Sequence, residues 1–180
     1  VKMNRGFTLV EVLVAVTIYS IITSMSIGLF VSAIHLYEFD RKYHNLLNQT
    51  SYVMEYMSRS LRMALKSDGT ICTDFSGKNY NWDNSDPHWI EFVNSSDNKC
   101  WKFYLSSNGK QLKINKGGIS YNLTSDNLQI NSFNISVAGD ASGQQPKVTF
   151  YLDIQAKKEL LPWTPKIKIQ TTISQRNLNQ

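Results

Sequence analysis

Residues 5–16 read RGFTLVEVLVAV, and one letter in them is out of place. Glu11 is a carboxylate inside a run that is otherwise apolar. From Phe7 to Ile34 there are 28 residues, and Glu11 is the one charge among them. As a helix this segment measures about 42 Å, against about 30 Å for the hydrocarbon core of a bilayer. It is long enough to cross a membrane and to project beyond it. Thr8, Thr17, Ser20, Thr23, Ser24 and Ser26 are scattered through the run, and small residues of this kind let helices approach closely in lipid. A charge at membrane depth is costly and by default functional, with a partner to be named.

Lys2 and Arg5 precede the run, and no comparable basic cluster follows until Arg41–Lys42. The positive-inside rule then places residues 1–6 in the cytoplasm and the chain beyond about residue 35 outside. Val1 at the first position leaves open whether the start lies upstream or at Met3. Two plainer readings compete. One is a secretory signal peptide, with VSA at 31–33 as its cleavage site. Against it, the run exceeds a usual signal core and a carboxylate inside it opposes insertion. The other is a simple signal anchor in which Glu11 is incidental.

The stretch GFTLVEVLVAV resembles the processing and methylation signature of type IV prepilins and type II secretion pseudopilins. The resemblance rests on Gly6, Phe7, Thr8, Leu9 and Glu11, with the basic leader before them and the apolar helix after. It implies that a membrane-embedded aspartic prepilin peptidase cuts between Gly6 and Phe7. It also implies that the new amino group of Phe7 is N-methylated and that the mature chain begins at Phe7. The function implied is a structural subunit, a minor pilin or pseudopilin, of a type IV pilus, type II secretion or competence-type filament. Its partners are then other pilin or pseudopilin subunits, the prepilin peptidase and the inner membrane. The alternative is a pilus-anchored adhesin or DNA-uptake binding subunit. Among subtypes, the J-type minor pseudopilins resemble the chain in anchor, in size and in a long helix ending in an Arg-bearing stretch like SRSLRMA (58–64). Major pilins often carry a proline about two-thirds along the apolar helix, where this chain has Gly28. Glycine still weakens a helix by about 1 kcal/mol relative to alanine.

The resemblance gives Glu11 and Thr8 a place in assembly, and elementary electrostatics supplies a reason for Glu11. Cleavage would leave a cationic amine at the top of an apolar helix, with Glu11 one turn further on. In a low-dielectric bundle an unpaired carboxylate is expensive, while a hydrogen-bonded ion pair is tolerated. The carboxylate of an incoming subunit pairing with the Phe7 amine of its neighbour would therefore set the axial offset between subunits.

Helical periodicity continues past the apolar run. Leu36, Phe39, Tyr43, Leu46, Leu47, Val53, Met54, Met57, Leu61, Ala64 and Leu65 recur at spacings of three and four, with Glu38, Arg41, Lys42, Glu55, Arg59 and Arg62 mostly off the stripe. Met54 and Met57 read as core filler. No proline interrupts residues 7–66, and SDG at 67–69 supplies a stop. The expected organisation is a leader over 1–6, a transmembrane and assembly helix over 7–34, its amphipathic continuation over 35–66, and an extracytoplasmic β-rich domain over 67–180.

Residues 67–98 are polar and turn-rich and read as a long surface loop. Beyond them, CWKFYLSSNGKQLKI (100–114) reads as a hairpin turning at Asn108-Gly109, with Trp101, Phe103 and Leu105 opposite Leu112 and Ile114. Residues 119–123, 147–154 and 166–173 alternate. In 128–137 the alternation changes parity between Ile130 and Phe133, which predicts a bulge. Gly139–Pro146 and Leu161–Pro165 read as connections. The fold class is α+β and pilin-like, a long N-terminal helix packed on an antiparallel β-sheet.

Cys72 and Cys100 are the only cysteines. An oxidising compartment would join them; two free thiols are the alternative. No metal site is expected, since His35, His44 and His88 do not cluster in sequence and DNSDP (83–87) lacks the glycine and glutamate of a calcium loop. Nor is there a phosphate loop, an H-E-x-x-H or a G-x-S-x-G motif. The chain reads as no enzyme, without a cofactor. The sequons at Asn48, Asn94, Asn122 and Asn134 carry no weight in a bacterial protein. Formal charge over the 180 residues is +5, falling to +3 without Lys2 and Arg5, which is weak evidence for nucleic acid. Lys102, Lys110, Lys113 and Lys116 with Trp101 and Tyr104 form a basic–aromatic set. A solvated sheet face is the plainer account of them. Mean hydropathy is below zero, which excludes a polytopic membrane protein.

Overall fold

The computed structural model describes residues 6–139, 144–157 and 164–176. The leader residues 1–5 lie outside the described residues, as do 140–143 and 161–163 of the two expected connections. The chain divides into two compact units, Val1–Arg41 and Lys42–Gln180. Helix α1, Leu9–Arg62, supplies the described helical residues of the first unit and continues into the second.

Among the described residues of the second unit, eight strands form two antiparallel sheets. One has five strands in sequence order: β1 (Ala64–Leu65), β2 (Trp89–Asn94), β3 (Lys99–Leu105), β4 (Leu112–Lys116) and β5 (Ile119–Asn122). The other has three: β6 (Leu128–Ala138), β7 (Lys147–Ala156) and β8 (Lys166–Ser174). The class is α+β, a long N-terminal helix followed by antiparallel sheets, as the sequence predicts. The single sheet expected is instead two. The parting lies at Leu123–Thr124, whose backbone amides both donate to Leu112 O (2.8 and 3.3 Å). Thr124 Oγ1 in turn accepts from Leu112 N (3.1 Å). This knot carries the chain over the end of β4, and β6 then pairs with β7 rather than β5.

The helix ends at Arg62, four residues short of the expected stop. The carbonyls that extension would have used are taken by donors from elsewhere. Leu61 O accepts from the Tyr80 hydroxyl (2.6 Å). Arg62 O accepts from Arg176 N and Met63 O from Ser95 N (both 3.1 Å). Ala64 O accepts from Gln175 Nε2 (2.6 Å). A helix terminus leaves such acceptors unsatisfied unless the rest of the fold fills them. Ala64 and Leu65, expected as helix, pair with Asn94 and Val93 instead.

The expected surface loop over 67–98 also needs correction. It contains β2, which is buried at Ile90, Glu91, Phe92, Val93 and Asn94, and it buries Cys72, Phe75 and Tyr80. The 106–111 connection has six residues, wider than the tight Asn108-Gly109 turn expected. Gly109 takes a positive φ of 65° while Asn108 does not, so glycine alone supplies the left-handed residue. The cross-strand pairs Phe103–Ile114 and Leu105–Leu112 fall as predicted. So does the bulge, a register shift between Ile130 and Ser132.

Leu46, Val53, Met57 and Leu61 of α1 are fully buried. They pack in one core with Phe92 and Phe103 of the first sheet and Phe133, Phe150 and Leu152 of the second. Of the predicted stripe, Met54 and Ala64 are buried too, while Leu36 and Tyr43 are exposed. The two methionines are core residues.

Candidate functional site

The helix begins two residues after the Gly6–Phe7 peptide bond, and its start is fixed by two side chains. Thr8 Oγ1 accepts from Glu11 N (3.3 Å). Glu11 Oε2 accepts from Thr8 N and from the Thr8 hydroxyl (both 3.2 Å). This is a capping box, in which threonine and glutamate three residues apart satisfy each other's orphan amides. The T-x-x-E pattern at 8–11 is legible in the sequence, so this role of Thr8 had a signal. Three consequences follow. The Gly6–Phe7 bond lies in non-helical chain. Phe7 is 84% exposed. The Glu11 carboxylate sits in the first turn, where the helix dipole favours a negative charge. Replacing Thr8 by valine is expected to fray this turn by ~1 kcal/mol, raising amide exchange at Glu11 and Val12, whose N–H groups bond to Thr8, about fivefold in detergent micelles. Thr8→Ser should retain the protection, and unchanged exchange in Thr8→Val would show that the cap does not hold the turn.

Beyond the cap, and as far as Ile34, the first unit is a helix of bare apolar side chains. Leu9, Val10, Leu13, Ile18, Ile21, Ile22, Leu29, Phe30 and Ile34 are all exposed. Hiding one such side chain from water is worth about 1.5–3 kcal/mol, so this surface requires lipid or other helices around it. The helix is long and apolar enough to cross a membrane. Its hydroxyls do not oppose that. Thr17, Ser20, Thr23, Ser26 and Ser32 donate to the carbonyls of Val14, Val16, Tyr19, Ile22 and Gly28 at 2.7–3.0 Å. Each hydroxyl proton is thereby satisfied within the helix. Gly28 itself is helical, and a Cβ there would meet nothing within 4 Å.

Cys72 and Cys100 are joined by a disulfide with Cα atoms 5.3 Å apart. It links the loop after β1 to β3, and Cys72 packs with Phe75 and Val93 in a small cluster of its own. The basic–aromatic set is not one surface. Strand alternation and register put Trp101 and Lys116 on the face that meets α1, where Lys116 Nζ lies 4.2 Å from the centre of the Trp101 ring and 5.3 Å from that of Tyr56. Lys102, Tyr104 and Lys113 share the opposite face, where Lys102 Nζ covers Trp89 at 4.1 Å. Lys110 sits in the connection between β3 and β4. His88 donates from Nδ1 to Phe133 O (2.6 Å), bonding the loop to β6. In DNSDP, Asp83 Oδ1 accepts from Ser85 N (2.8 Å). Among the described residues, no three His, Cys, Asp or Glu side chains are placed to hold a metal ion.

Residues 1–27 match the family model described as the prokaryotic N-terminal methylation motif. No curated protein and no solved structure matches the chain. The matched span contains Gly6, Phe7, Thr8 and Glu11. It supports a type IV pilin-like filament subunit that is processed as a prepilin, and the apolar helix fits a membrane-anchored chain of that kind.

Proposed function

We propose that this chain is a structural subunit, a minor pilin or pseudopilin, of a type IV pilus, type II secretion or competence-type filament. The observation that carries the reading is the junction at residues 6–11. The Gly6–Phe7 bond lies in non-helical chain, and one turn later a glutamate is held at the start of an apolar helix. A peptidase binding an extended segment can reach such a bond without unwinding the helix. Hydrolysis there adds water across the bond and frees the Phe7 amine; its neutral form accepts a methyl group from an electrophilic methyl donor with loss of a proton, and the N-methyl amine so formed is cationic at neutral pH. Glu11 of an incoming subunit exchanges its hydrogen bonds with Thr8 for that amine on a neighbouring copy. The pair satisfies both charges within the bundle, and a subunit out of register leaves them unpaired. Residues 7–34 stack as the shaft and residues 67–180 are displayed outside, with residues 1–6 on the cytoplasmic side before cleavage. Arg59 and Arg62 near the end of α1 resemble the Arg-bearing helix end of J-type minor pseudopilins. Such a subunit needs no catalytic site or cofactor of its own. The adhesin or DNA-uptake reading takes second place because the ring of Trp101 is covered by Lys116 and that of Trp89 by Lys102.

The test is the N-terminus and intact mass of the protein taken from membranes. The expected product begins at N-methylated Phe7. A chain that retains residues 1–6, or that begins near residue 34, overturns the reading.

A further inference from the structure

The first sheet ends on an open edge. β5 is exposed at all four of its positions and pairs only with β4. Leu123 N donates to Leu112 O (2.8 Å). Bonded and non-bonded pairs alternate along an antiparallel ladder, so Tyr121 and Ile119 are turned towards Ile114 and Lys116 in the same way. The amides and carbonyls of Ser120 and Asn122 then point away from β4. Among the described residues, no other segment bonds them.

The other edges are guarded. β1 is two residues long. On β6, Phe133 O accepts from His88 Nδ1 and Ile135 N donates to Pro87 O (2.6 and 2.9 Å), and the register shifts between Ile130 and Ser132. β8 displays Lys166 and Lys168. Short length, covering loops, bulges and lysines are the devices that keep strand edges from pairing. β5 has no charge, no proline and no register shift.

Its surroundings select what can pair with it. Ile119 and Tyr121 are 60% and 51% exposed, and the register puts them on one face with Trp101, Phe103 and Ile114. Ser120 and Asn122 lie on the other face with Lys102 and Lys113. From Lys99 to Thr124 the chain carries five lysines and no Asp or Glu. Among the described residues, no carboxylate lies within ion-pair distance of Lys113. Two copies meeting edge to edge would set these lysines against each other, which disfavours self-pairing.

We propose that the free edge of β5 takes up, as an added strand, an extended acidic segment of a different subunit. Backbone bonds to Ser120 and Asn122 hold the segment. Its alternate side chains fall on the two faces, apolar ones beside Ile119 and Tyr121 and carboxylates towards Lys113. That the partner is a neighbouring subunit rests on the filament reading above; the edge and its charge do not. The contact suits a minor subunit, because it joins this chain to one of another kind.

The first arm of the experiment uses the full-length chain in detergent micelles and two heptapeptides, Glu-Val-Glu-Val-Glu-Val-Glu and its counterpart with lysine for glutamate. The acidic peptide should slow amide exchange at Ser120 and Asn122 about tenfold and bind about tenfold more tightly than the basic one. Ser120→Pro removes one outward N–H, a change an edge strand tolerates, and should weaken binding about tenfold. Ser120→Ala loses only the hydroxyl, with its bonds to Tyr104 and Asn115, and should bind as the parent does. Lys113→Glu should reverse the preference between the peptides, which a misfolded variant would not do. Absent protection at Ser120 and Asn122, equal binding of both peptides, or undiminished binding by Ser120→Pro overturns the proposal and leaves the filament reading intact. The second arm places a photo-reactive amino acid at Asn122 in cells that assemble the filament. The expected adduct joins a different subunit at a stretch bearing Asp or Glu. No adduct, an adduct with a second copy, or one with nucleic acid overturns the assigned partner. A chain found unprocessed and outside any filament overturns the filament reading instead, and the peptide arm still decides the edge.

Discussion

Glu11→Val is expected to leave cleavage at Gly6–Phe7 largely intact and to lower incorporation into filaments at least tenfold. The two effects separate because they use different parts of the junction. On the proposed reading the peptidase takes non-helical chain at residues 6 and 7, and the helix begins only at Leu9. On the same reading assembly uses the charge. Removing one partner of a buried ion pair costs about 3–5 kcal/mol, because the other is left uncompensated; tenfold corresponds to only about 1.4 kcal/mol. The loss would fall on the Phe7 amine of the neighbour. Because Glu11 also closes the capping box with Thr8, valine alone does not tell cap from pair. Glu11→Gln does, since glutamine at this position sustains a capping box without carrying charge. The pairing account requires Glu11→Gln to fail in assembly nearly as badly as Glu11→Val. Normal incorporation of the glutamine variant, measured against processed protein in the same cells, would reduce Glu11 to a helix cap and remove the register argument.

Where one physical signal dominated a segment, the sequence was legible. A run of three-and-four spacing with no proline placed α1, and the core residues Leu46, Val53, Met57 and Leu61 lie on the stripe it drew. The parity change between Ile130 and Phe133 located the bulge because a period of two cannot skip a residue without one. β2 was hidden for the opposite reason. WIEFVN is buried at five successive positions, so nothing alternates, and Glu91 in its middle reads as a surface residue. Glu91 is covered because Asn81 bridges to it, donating from Nδ2 at 3.2 Å and pairing through the backbone at 2.8 and 2.9 Å. The two-residue β1 is specified by its tertiary partners and has no local pattern at all. In the same way Arg62 O accepts from the backbone amide of Arg176, more than a hundred positions away, and no spacing rule connects them. The proposed junction at 6–11 could be picked out because its residues are local: Gly6, Phe7, Thr8 and Glu11 fall within six positions.

Removing the disulfide should have the largest effect on stability. Cys72→Ser with Cys100→Ser is expected to cost about 3–4 kcal/mol, since a bridge spanning 28 positions restricts the unfolded chain by roughly that amount. For a unit of this size the midpoint of thermal unfolding should fall by roughly 10–15 °C. The native loop has other ties. Ser67 N donates to Lys78 O (2.9 Å), Gly77 N to Ser67 O (2.8 Å), and Ser67 Oγ to Phe75 O (2.9 Å). These bonds close the base of the 67–78 excursion without the sulfurs, so the folded form of the double variant should look much like the parent. The stabilisation then resides mainly in the unfolded state, and the variant should lose midpoint without gaining protease sensitivity within 67–78 under native conditions. The measurement is thermal unfolding of the full chain in detergent, oxidised against double serine, with limited proteolysis beside it. An unchanged midpoint together with new cleavage near Cys72 would mean that the bridge only pins the loop. A fall in midpoint without such cleavage is the result that chain entropy requires.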